Sequence, residues 1–549
     1  MEHLRLWLKE RPGIPWEISW VVLLAAALRV VAFWQFDPVA FDSAIYFEMA
    51  DHIRAGHWST VLTYDYPPLY PFLVAAVQWF LRNPEIAGLL VSFTADVFVI
   101  LPLFAIARTA VGYAGAWGAV FLWAIHPLAI SLGVQALTDA PTAALVALSI
   151  WAGLHALAHR RLAWALAAGI TSGLAHMTRP EGIEPALVLA ALCWWPANKL
   201  GTPPSASPKI QFTWGSGNQT LPRLTLRSAV LVVAPLVGWA LVASPYIIAI
   251  SEQTGTLTLS KKKSAAGFVR SLAGEGTPTI PPQNPALLPS NENAPDQLAT
   301  SDPAAPQSRL DRLITGIYVF QKPLVNSIHP VIWILLLIAA WNSRVVDMEG
   351  TRLARTLLLT LVGLHFAVLI GLAADHGATY LGGHHFFLMV LYSLPFAGAG
   401  LAQALTWMTE RDWASRWLPA ISLALLVAMP IVWMATKGVG RGVSVRPAAA
   451  WIRGQIPSGI PVVLTNITKV TYHAGAKRIE LSGTYEDIIE RARTQSAHYI
   501  VFYPDLIPTV SRDFLTRIDA ADLELVKVFP EPSRSNPHQR LEVYRLRKE

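Results

Sequence analysis

The chain has 549 residues, of which 53% are hydrophobic and 14% are charged, and its formal net charge is +7. A soluble globular chain carries about 25% charged residues, so this composition excludes a water-soluble protein for most of the length. The single cysteine, Cys193, excludes an internal disulfide and a metal cage built from cysteines.

Apolar segments of membrane-spanning length recur from the N-terminus to about residue 436. Because an apolar helix of about 20 residues crosses about 30 Å of hydrocarbon, the sequence predicts an α-helical polytopic membrane protein with about eleven spans, and up to about thirteen. No small-residue cleavage site follows the first span, so we expect it to be retained. The predicted spans lie near residues 16–36, 85–109, 112–131, 137–157, 162–178, 183–197, 228–250, 324–341, 356–374, 385–407 and 417–436.

The distribution of lysine and arginine over the short loops predicts the orientation. With the N-terminus in the cytoplasm, the basic loops fall on the cytoplasmic side, at Arg108, 159–161, 198–227, 344–355 and 411–416. The outer side then receives loops 37–84 and 251–323 and the chain after residue 437. The apolar segment 69–81 is too short to span, and we expect it at the outer interface as a juxtamembrane helix.

The chain divides into two predicted domains. Residues 1–436 form a transmembrane domain, whose outer loop 251–323 contains a Pro-, Asn- and Ala-rich flexible insertion at 274–308. Residues 440–549 alternate strand patterns, such as PVVLTN and AHYIVFYP, with helix patterns, such as EDIIERARTQ and DFLTRIDAA, which predicts a small α/β domain. It contains neither a phosphate loop nor a nucleophile elbow, so we interpret it as a lid or docking domain without chemistry of its own.

Two aspartates at predicted outer span ends are candidates for acid–base chemistry, because ionisable groups beside a membrane span are costly unless they have a function. Asp42 precedes the helical pattern IYFEMADHIRAG. It is either a helix cap together with Ser43 or a carboxylate that takes a proton from an acceptor hydroxyl or amine. Asp139 lies on the same side of the membrane, and with Thr138 and Pro141 it also makes an ordinary helix start.

An aromatic and proline-rich stretch, TYDYPPLYP at residues 63–71, lies in the same outer loop as Asp42. Its two adjacent prolines forbid a helix and favour a rigid extended approach. The stretch is either a loop-to-helix junction or a wall for a sugar or lipid headgroup. On the second interpretation the residues of the substrate cavity are Tyr46, Tyr64, Tyr66, Pro67, Pro68, Tyr70 and Glu181.

Two basic motifs on the predicted outer side are candidates for phosphate binding. Arg179 in HMTRPEGIEP either pairs with the neighbouring acids or holds a phosphate bidentately. The run Lys261, Lys262 and Lys263 breaks the positive-inside trend. It either binds phosphate or belongs to a loop long enough to escape the rule.

A histidine pair, His384 and His385, stands at the outer start of a predicted span. Adjacent histidines do not share one face of a helix, whereas a metal pair on a helix is spaced by four residues. We therefore expect these side chains to contact phosphate or a headgroup, and we expect no metal site.

The stretch FDSAIYFEMADHIRAGHW, followed by DYPPLYPFLVAAVQ, resembles the first-loop signature of the C-type glycosyltransferases that use polyprenyl-phosphate sugars. Among them, the chain is similar to the dolichyl-phosphate-mannose–protein mannosyltransferase family and its bacterial relatives, including the lipid A aminoarabinose transferase. LTDAPTAAL, MTRPEG, SKKKS and YLGGHHFFLMVL resemble further landmarks of the family in the same order. The resemblance extends from residue 16 to about residue 436.

The resemblance implies an inverting transfer from a polyprenyl-phosphate sugar, without a nucleotide donor. It implies that Asp42 acts as a base or orients the acceptor and that Asp139 is a second acid. The implied donor-phosphate contacts are Arg179, Lys261, Lys262, Lys263 and His384, with His385 beside it. The chain departs from many relatives at Ser43, where they have a second acid, at Tyr66, where the aminoarabinose type has lysine, and at His384, where some have arginine.

The sequence thus predicts a membrane glycosyltransferase that moves a hexosyl or pentosyl group to a lipid, glycan or protein acceptor on the non-cytoplasmic face. We expect no cofactor and no nucleic acid, and a divalent cation is compatible with the chemistry without being required. A transporter or flippase of lipid-linked sugars is the alternative, although the internal repeats and midplane polar groups typical of transporters are not apparent. A scaffold that presents residues 440–549 would leave the acids and lysines without a role. The short loops, the single cysteine and the bacterial relatives favour a bacterial inner membrane, with the active site and C-terminal domain in the periplasm.

Overall fold

The computed structural model describes residues 15–34, 36–194, 226–261, 321, 323–341, 352–376, 381–410, 417–437, 444–481, 484–504, 522–529 and 540–547. The insertion predicted at 274–308 and the helix predicted at DFLTRIDAA lie outside the described residues, as do Lys262 and Lys263.

The described residues before 438 form mainly helices. In chain order they are α1 (Ile18–Phe33), α2 (Phe41–Arg54), α3 (Trp58–Val61), α4 (Leu69–Leu81), α5 (Pro84–Phe98), α6 (Ile100–Ile125), α7 (Pro127–Gly133), α8 (Asp139–His159), α9 (Leu162–His176), α10 (Glu184–Trp194), α11 (Leu226–Thr254), α12 (Pro330–Trp341), α13 (Arg352–His376), α14 (Phe387–Thr409) and α15 (Leu418–Lys437). Short 3-10 turns at Pro180–Ile183 and Gly383–Phe386 lead into α10 and α14.

Several of these helices have the length and composition of membrane spans. Among the described residues, five segments are long and apolar enough to cross a bilayer: Pro84–Ile125, Asp139–His159, Ala229–Thr254, Arg352–Ala373 and Gly383–Thr409. Further apolar helices, including Ile18–Phe33 and Leu162–His176, are shorter. The predicted helical membrane class is confirmed, whereas the count of about eleven spans stays a prediction.

The long segment Pro84–Ile125 is a hairpin rather than one helix, because the chain reverses at Gly112. This glycine has φ 86° and ψ 178°, a conformation that residues with a Cβ rarely adopt. The ring of Phe104 lies 5.4 Å from that of Trp117, although on a straight helix the two residues would be about 20 Å apart. The two arms correspond to the predicted spans 85–109 and 112–131. The second arm ends early, at Ile125, because Pro127 disfavours helical backbone at the residue before it.

A buried ion pair joins three helices inside the bundle. Arg29 of α1 donates from Nε to Oδ2 of Asp96 in α5 at 2.6 Å, and both side chains are fully buried. The guanidinium also donates to the carbonyl of Ala124 in α6. Trp123 donates a hydrogen bond from Nε1 to the backbone carbonyl of Asp96 at 3.1 Å. These bonds hold α1 and both arms of the hairpin at one level.

The C-terminal part contains a five-stranded mixed sheet in the order β2-β1-β3-β5-β4. β1 runs parallel to β2 and β3, whereas β5 pairs antiparallel with β3 and β4. Its elements are α16 (Val445–Gln455), β1 (Val462–Thr465), α17 (Thr468–Ala474), β2 (Lys477–Ile479), α18 (Tyr485–Thr494), β3 (Tyr499–Phe502), β4 (Leu523–Phe529) and β5 (Leu541–Leu546). The predicted small α/β arrangement is confirmed. The sequence patterns missed α16, β2 and α17, and the last two are so short that they give little periodic signal.

The buried ion pair makes a stability prediction. Replacing Asp96 by leucine leaves the Arg29 guanidinium buried without its carboxylate, which costs about 3–5 kcal/mol. Asp96→Asn is the matched control, since its amide oxygen still accepts a hydrogen bond from Arg29. Thermal unfolding in detergent is expected to show a lower melting temperature for Asp96→Leu than for Asp96→Asn. A melting temperature of Asp96→Leu equal to that of the wild type would mean that the backbone carbonyls around Arg29 compensate for the carboxylate.

Candidate active site

Asp42 lies in the first turn of α2, where it accepts a hydrogen bond from the Tyr66 hydroxyl at 2.9 Å. The helix begins at Phe41, and the capping contact predicted for Asp42 is made by Ser43, whose Oγ accepts from the Ala40 amide at 2.8 Å. Burial, and then the Asp42 carboxylate, raise the pKa of Tyr66 well above its usual value. The phenol therefore keeps its proton at neutral pH and donates it to Asp42.

Tyr46 connects Asp42 with the second predicted acid. Its ring is 5.2 Å from that of Tyr66 and 5.1 Å from that of Tyr70, both edge-on. Its side chain is hydrogen-bonded to Thr138, the residue before Asp139. Burial raises the pKa of Tyr46 well above its usual value, and the charges of Asp42 and Asp139 both add to the shift. The two carboxylates predicted from separate loops thus lie near the same phenol.

Asp139 is paired with Arg179. The guanidinium donates from Nη1 to Oδ1 of Asp139 at 2.5 Å, and its Nε lies 3.5 Å from Oε2 of Glu181. Arg179 and Asp139 are buried. Both interpretations of the RPEG motif are therefore compatible with the contacts. The arginine pairs with acids, and since a guanidinium carries five N–H donors, it can also bind phosphate oxygens.

A small cavity of about 230 Å³, part of it open space, lies beside this pair. Its polar wall contains the predicted residues Asp139, Arg179, Glu181, His384 and His385. The remaining lining comes from Thr142, His365, Phe387 and Leu388. Residues from four separate stretches of the sequence therefore meet at one site.

His384 and His385 face this cavity together, contrary to the expectation for adjacent residues on a helix. Their ring centroids are 4.1 Å apart. The reason is that both belong to the 3-10 turn Gly383–Phe386 before α14, and not to the helix itself. Within the described residues, no group of three or more His, Cys, Asp or Glu side chains has the arrangement of a metal site.

A buried network behind the cavity was not predicted. Oε1 of Glu184 lies 2.8 Å from Nδ1 of His365, and Oε2 accepts from the Tyr392 hydroxyl at 3.2 Å. Nε2 of His365 lies 3.0 Å from the carbonyl of His385. The signal was present in the sequence, because a histidine inside the apolar run LVGLHFAVLI is an ionisable residue within a span.

Lys261 is not part of the cavity. Its Nζ donates to the carbonyl of Leu62 at 2.7 Å and to Oε1 of Gln253 at 2.5 Å. Burial raises the pKa of Asp65, and the nearby Lys261 charge opposes this shift. Of the predicted lysine run, the described member thus contacts Leu62, just before the aromatic stretch 63–71, and its charge acts on Asp65 within that stretch.

Hydrogen bonds to backbone carbonyls connect this loop and the segment before Lys261 with the residues around Arg179. The amide of Leu69, directly after Pro67 and Pro68, donates to the carbonyl of Met177 at 3.0 Å. His176, which was not predicted, lies between two carbonyls, with Nδ1 3.1 Å from Pro180 and Nε2 3.0 Å from Leu259. The proline stretch is therefore the predicted loop-to-helix junction and is also packed against the arginine motif.

The C-terminal part contacts the first outer loop through charges and one aromatic pair. Nη2 of Arg446 donates to Oε2 of Glu85 at 2.9 Å and to Oδ1 of Asp37 at 3.3 Å. The ring of Tyr472 in α17 lies 5.4 Å from that of Phe47 in α2. This contact reaches the helix that carries Asp42.

Comparison with known proteins identifies the fold. Residues 65–211 match the family model described as dolichyl-phosphate-mannose-protein mannosyltransferase, which confirms the resemblance found in the sequence. No curated protein sequence matches the chain.

Two solved structures resemble the chain over most of its length. ArnT from Cupriavidus metallidurans, bound to undecaprenyl phosphate, has a TM-score of 0.52 at 14% identity, with 96% of this chain and 98% of that chain covered. The Archaeoglobus fulgidus oligosaccharyltransferase in the apo form has a TM-score of 0.51 at 15% identity, with 89% and 70% covered. The chain therefore has the fold of these membrane glycosyltransferases.

The contact between Arg446 and the first outer loop makes a prediction about dynamics. Arg446→Ala is expected to raise amide hydrogen exchange in Phe41–Arg54 about two- to fivefold, since an exposed pair contributes about 0.2–1 kcal/mol. Arg453→Ala on the same helix α16 is the control and should leave exchange in Phe41–Arg54 unchanged. Unchanged exchange in Arg446→Ala as well would mean that the remaining contacts, from Tyr472 to Phe47, Lys469 to Asp37 and His473 to Glu85, are enough to hold the two parts together.

Proposed function

We propose that the chain is a membrane glycosyltransferase that moves a sugar from a polyprenyl-phosphate donor to an acceptor on the non-cytoplasmic face, by inverting displacement. The main support is the site around Tyr46. There Asp42 and Asp139, from different loops, lie near one phenol, and Asp139 lines a cavity together with Arg179 and two histidines. A base close to a cationic anion-binding wall is what displacement of a phosphate leaving group requires.

The donor phosphate is proposed to occupy the cavity, with its polyprenyl tail in the bilayer. Arg179, His384 and His385 contact the phosphate oxygens there. As the bond between the anomeric carbon and the phosphate oxygen breaks, the bond electrons pass to the phosphate, which leaves as a monoester. The guanidinium and the imidazole donors stabilise the charge that develops on it. Asp139 and Glu181 keep the guanidinium oriented during this step.

Asp42 is proposed to take the proton of the acceptor. The acceptor oxygen or nitrogen attacks the anomeric carbon from the side opposite the phosphate, and its proton passes to the Asp42 carboxylate. The hydrogen bond from Tyr66 fixes the orientation of that carboxylate. Because this displacement forms no covalent enzyme intermediate, the configuration at the anomeric carbon is inverted.

The location is proposed on the same grounds. The loop of residues 37–84 contacts Met177, just before Arg179, and helix α17 of the C-terminal part, while Arg179 and the turn before α14 line one cavity. The basic loops predict that these segments face away from the cytoplasm. In a bacterium they would face the periplasm, with the chain in the inner membrane.

The decisive test is transfer from a panel of radiolabelled polyprenyl-phosphate sugars in proteoliposomes. Asp42→Asn removes the proton acceptor and keeps the hydrogen bond from Tyr66, so transfer should fall by about a hundredfold or more. Asp51→Asn, at an exposed position of the same helix, is the matched control and should transfer within about twofold of the wild type.

Other outcomes contradict parts of the proposal. Transfer by Asp42→Asn at the wild-type rate would exclude Asp42 as the base. If the wild type transfers no sugar from any donor but moves a lipid-linked sugar across the bilayer, the protein is a transporter.

Tyr66→Phe tests the orienting hydrogen bond separately. The substitution keeps the ring that packs on Tyr46 and removes only the hydroxyl that donates to Asp42. Transfer is expected to fall by about ten- to a hundredfold, because a hydrogen bond to a charged group contributes about 1.5–3 kcal/mol. Steady-state rates at saturating donor measure the effect. A rate equal to the wild type would mean that α2 alone orients the carboxylate.

A further inference from the structure

The two polar walls of the cavity come from segments about two hundred residues apart in sequence. One wall is Arg179 and the 3-10 turn Pro180–Ile183, and the other is the 3-10 turn Gly383–Phe386 with its two histidines. A phosphate is bound by both walls only if their separation is fixed, because misplacement by about 1 Å strongly weakens such contacts.

The first wall is fixed against helix α9. Ser172 donates from Oγ to the carbonyl of Gly182 at 2.6 Å. A Cβ added at Gly182 would meet the backbone of Ala175 and His176 at 2.2–2.3 Å. The turn after Arg179 therefore lies directly on helix α9, and only glycine permits this approach.

The second wall is tied to the first by two buried side chains. Glu184 follows the 3-10 turn directly and begins α10, where the helix N-terminus favours a carboxylate. It lies 2.8 Å from Nδ1 of His365 in α13, and Nε2 of His365 lies 3.0 Å from the carbonyl of His385. Within the second wall, the Gly382 amide donates to Nδ1 of His385 at 3.1 Å, which closes the turn.

The protons of this network can be assigned from its donors and acceptors. The carbonyl of His385 only accepts, so Nε2 of His365 carries a hydrogen. Tyr392 donates its hydroxyl to Oε2 of Glu184. One further proton therefore lies between Oε1 of Glu184 and Nδ1 of His365, and the pair has no net charge whichever atom holds it. A buried pair without net charge suits a structural connection.

We infer that Glu184 and His365 are positioning residues, which set the distance between Arg179 and the His384–His385 turn and so shape the phosphate end of the donor cavity. The inference rests on the proposed function, since it assigns that cavity to the donor. Neither residue is proposed to act as acid or base. Their positioning role depends on the hydrogen bonds that Glu184 and His365 make, and not on transfer of the proton between them.

Two substitutions of Glu184 distinguish a positioning role from a role in acid–base chemistry. In Glu184→Gln the amide oxygen still accepts from Tyr392 and the amide N–H donates to Nδ1 of a neutral His365, so both connections persist. In Glu184→Leu both are lost, and buried polar atoms of His365 and Tyr392 are left unpaired. His365→Phe cuts the connection to His385 from the other side. His155→Phe, in the stack of aromatic rings near the other end of α8, is the matched control.

The experiment measures binding of a sugar-free polyprenyl phosphate to the full chain in nanodiscs, and the donor KM, acceptor KM and kcat in proteoliposomes. Glu184→Leu and His365→Phe are expected to raise the phosphate Kd and the donor KM about tenfold, with the acceptor KM unchanged. Glu184→Gln and His155→Phe should stay within about threefold of the wild type in every constant. Thermal unfolding confirms that each variant is folded, and Glu184→Asp replaces Glu184→Leu if the latter is not.

Three results would overturn the inference. Phosphate affinity that is unchanged in Glu184→Leu and His365→Phe shows that the walls are positioned without them, while the proposed transfer activity stands. Loss in Glu184→Gln equal to that in Glu184→Leu, with kcat reduced and donor KM unchanged, means that the proton is used in the chemistry. Absence of phosphate binding and of transfer in the wild type overturns the proposed function itself.

Discussion

Charged side chains that leave water must be paired, and this constraint governs how the polar chemistry of the chain is arranged. Each buried pair joins segments that are distant in sequence. Arg29 and Asp96 connect α1 with the hairpin, and Arg179 and Asp139 connect α8 with the turn before α10. Because one partner alone would be costly in a low-dielectric interior, these pairs fix which helices are neighbours. The cavity at the end of the bundle is a consequence of that packing.

The tyrosines of loop 37–84 also pair polar groups that are removed from water. Tyr46, Tyr66 and Tyr70 bury large rings in the small core of this loop, and their hydroxyl groups are hydrogen-bonded partners for neighbouring polar groups. Tyr66 contacts Asp42 and Tyr46 lies beside Thr138, so the apolar core of the loop is also what brings the two aspartates together. The same contacts therefore pack the core of the loop and set the geometry of the site.

Helices α16 and α17 of the C-terminal part contact this loop and the start of α5. Arg446 contacts Glu85 and Asp37, and Tyr472 lies against Phe47 on the helix that begins beside Asp42. The contact surface of these helices is charged and small compared with the apolar packing of the bundle. The interpretation of this part as a lid or docking element stays a prediction.

The sequence alone predicted the membrane class, two adjacent spans at 85–109 and 112–131, the small α/β part and the separate motifs of which several line the cavity. These follow from hydropathy, periodicity and local residue chemistry, which act over a few residues and leave a pattern in the chain. Only the tertiary structure decided that Lys261 contacts Leu62, that His384 and His385 share a cavity, and that His365 joins Glu184 to their turn. Such contacts connect residues up to about two hundred positions apart, and no local pattern encodes which buried acid meets which buried base.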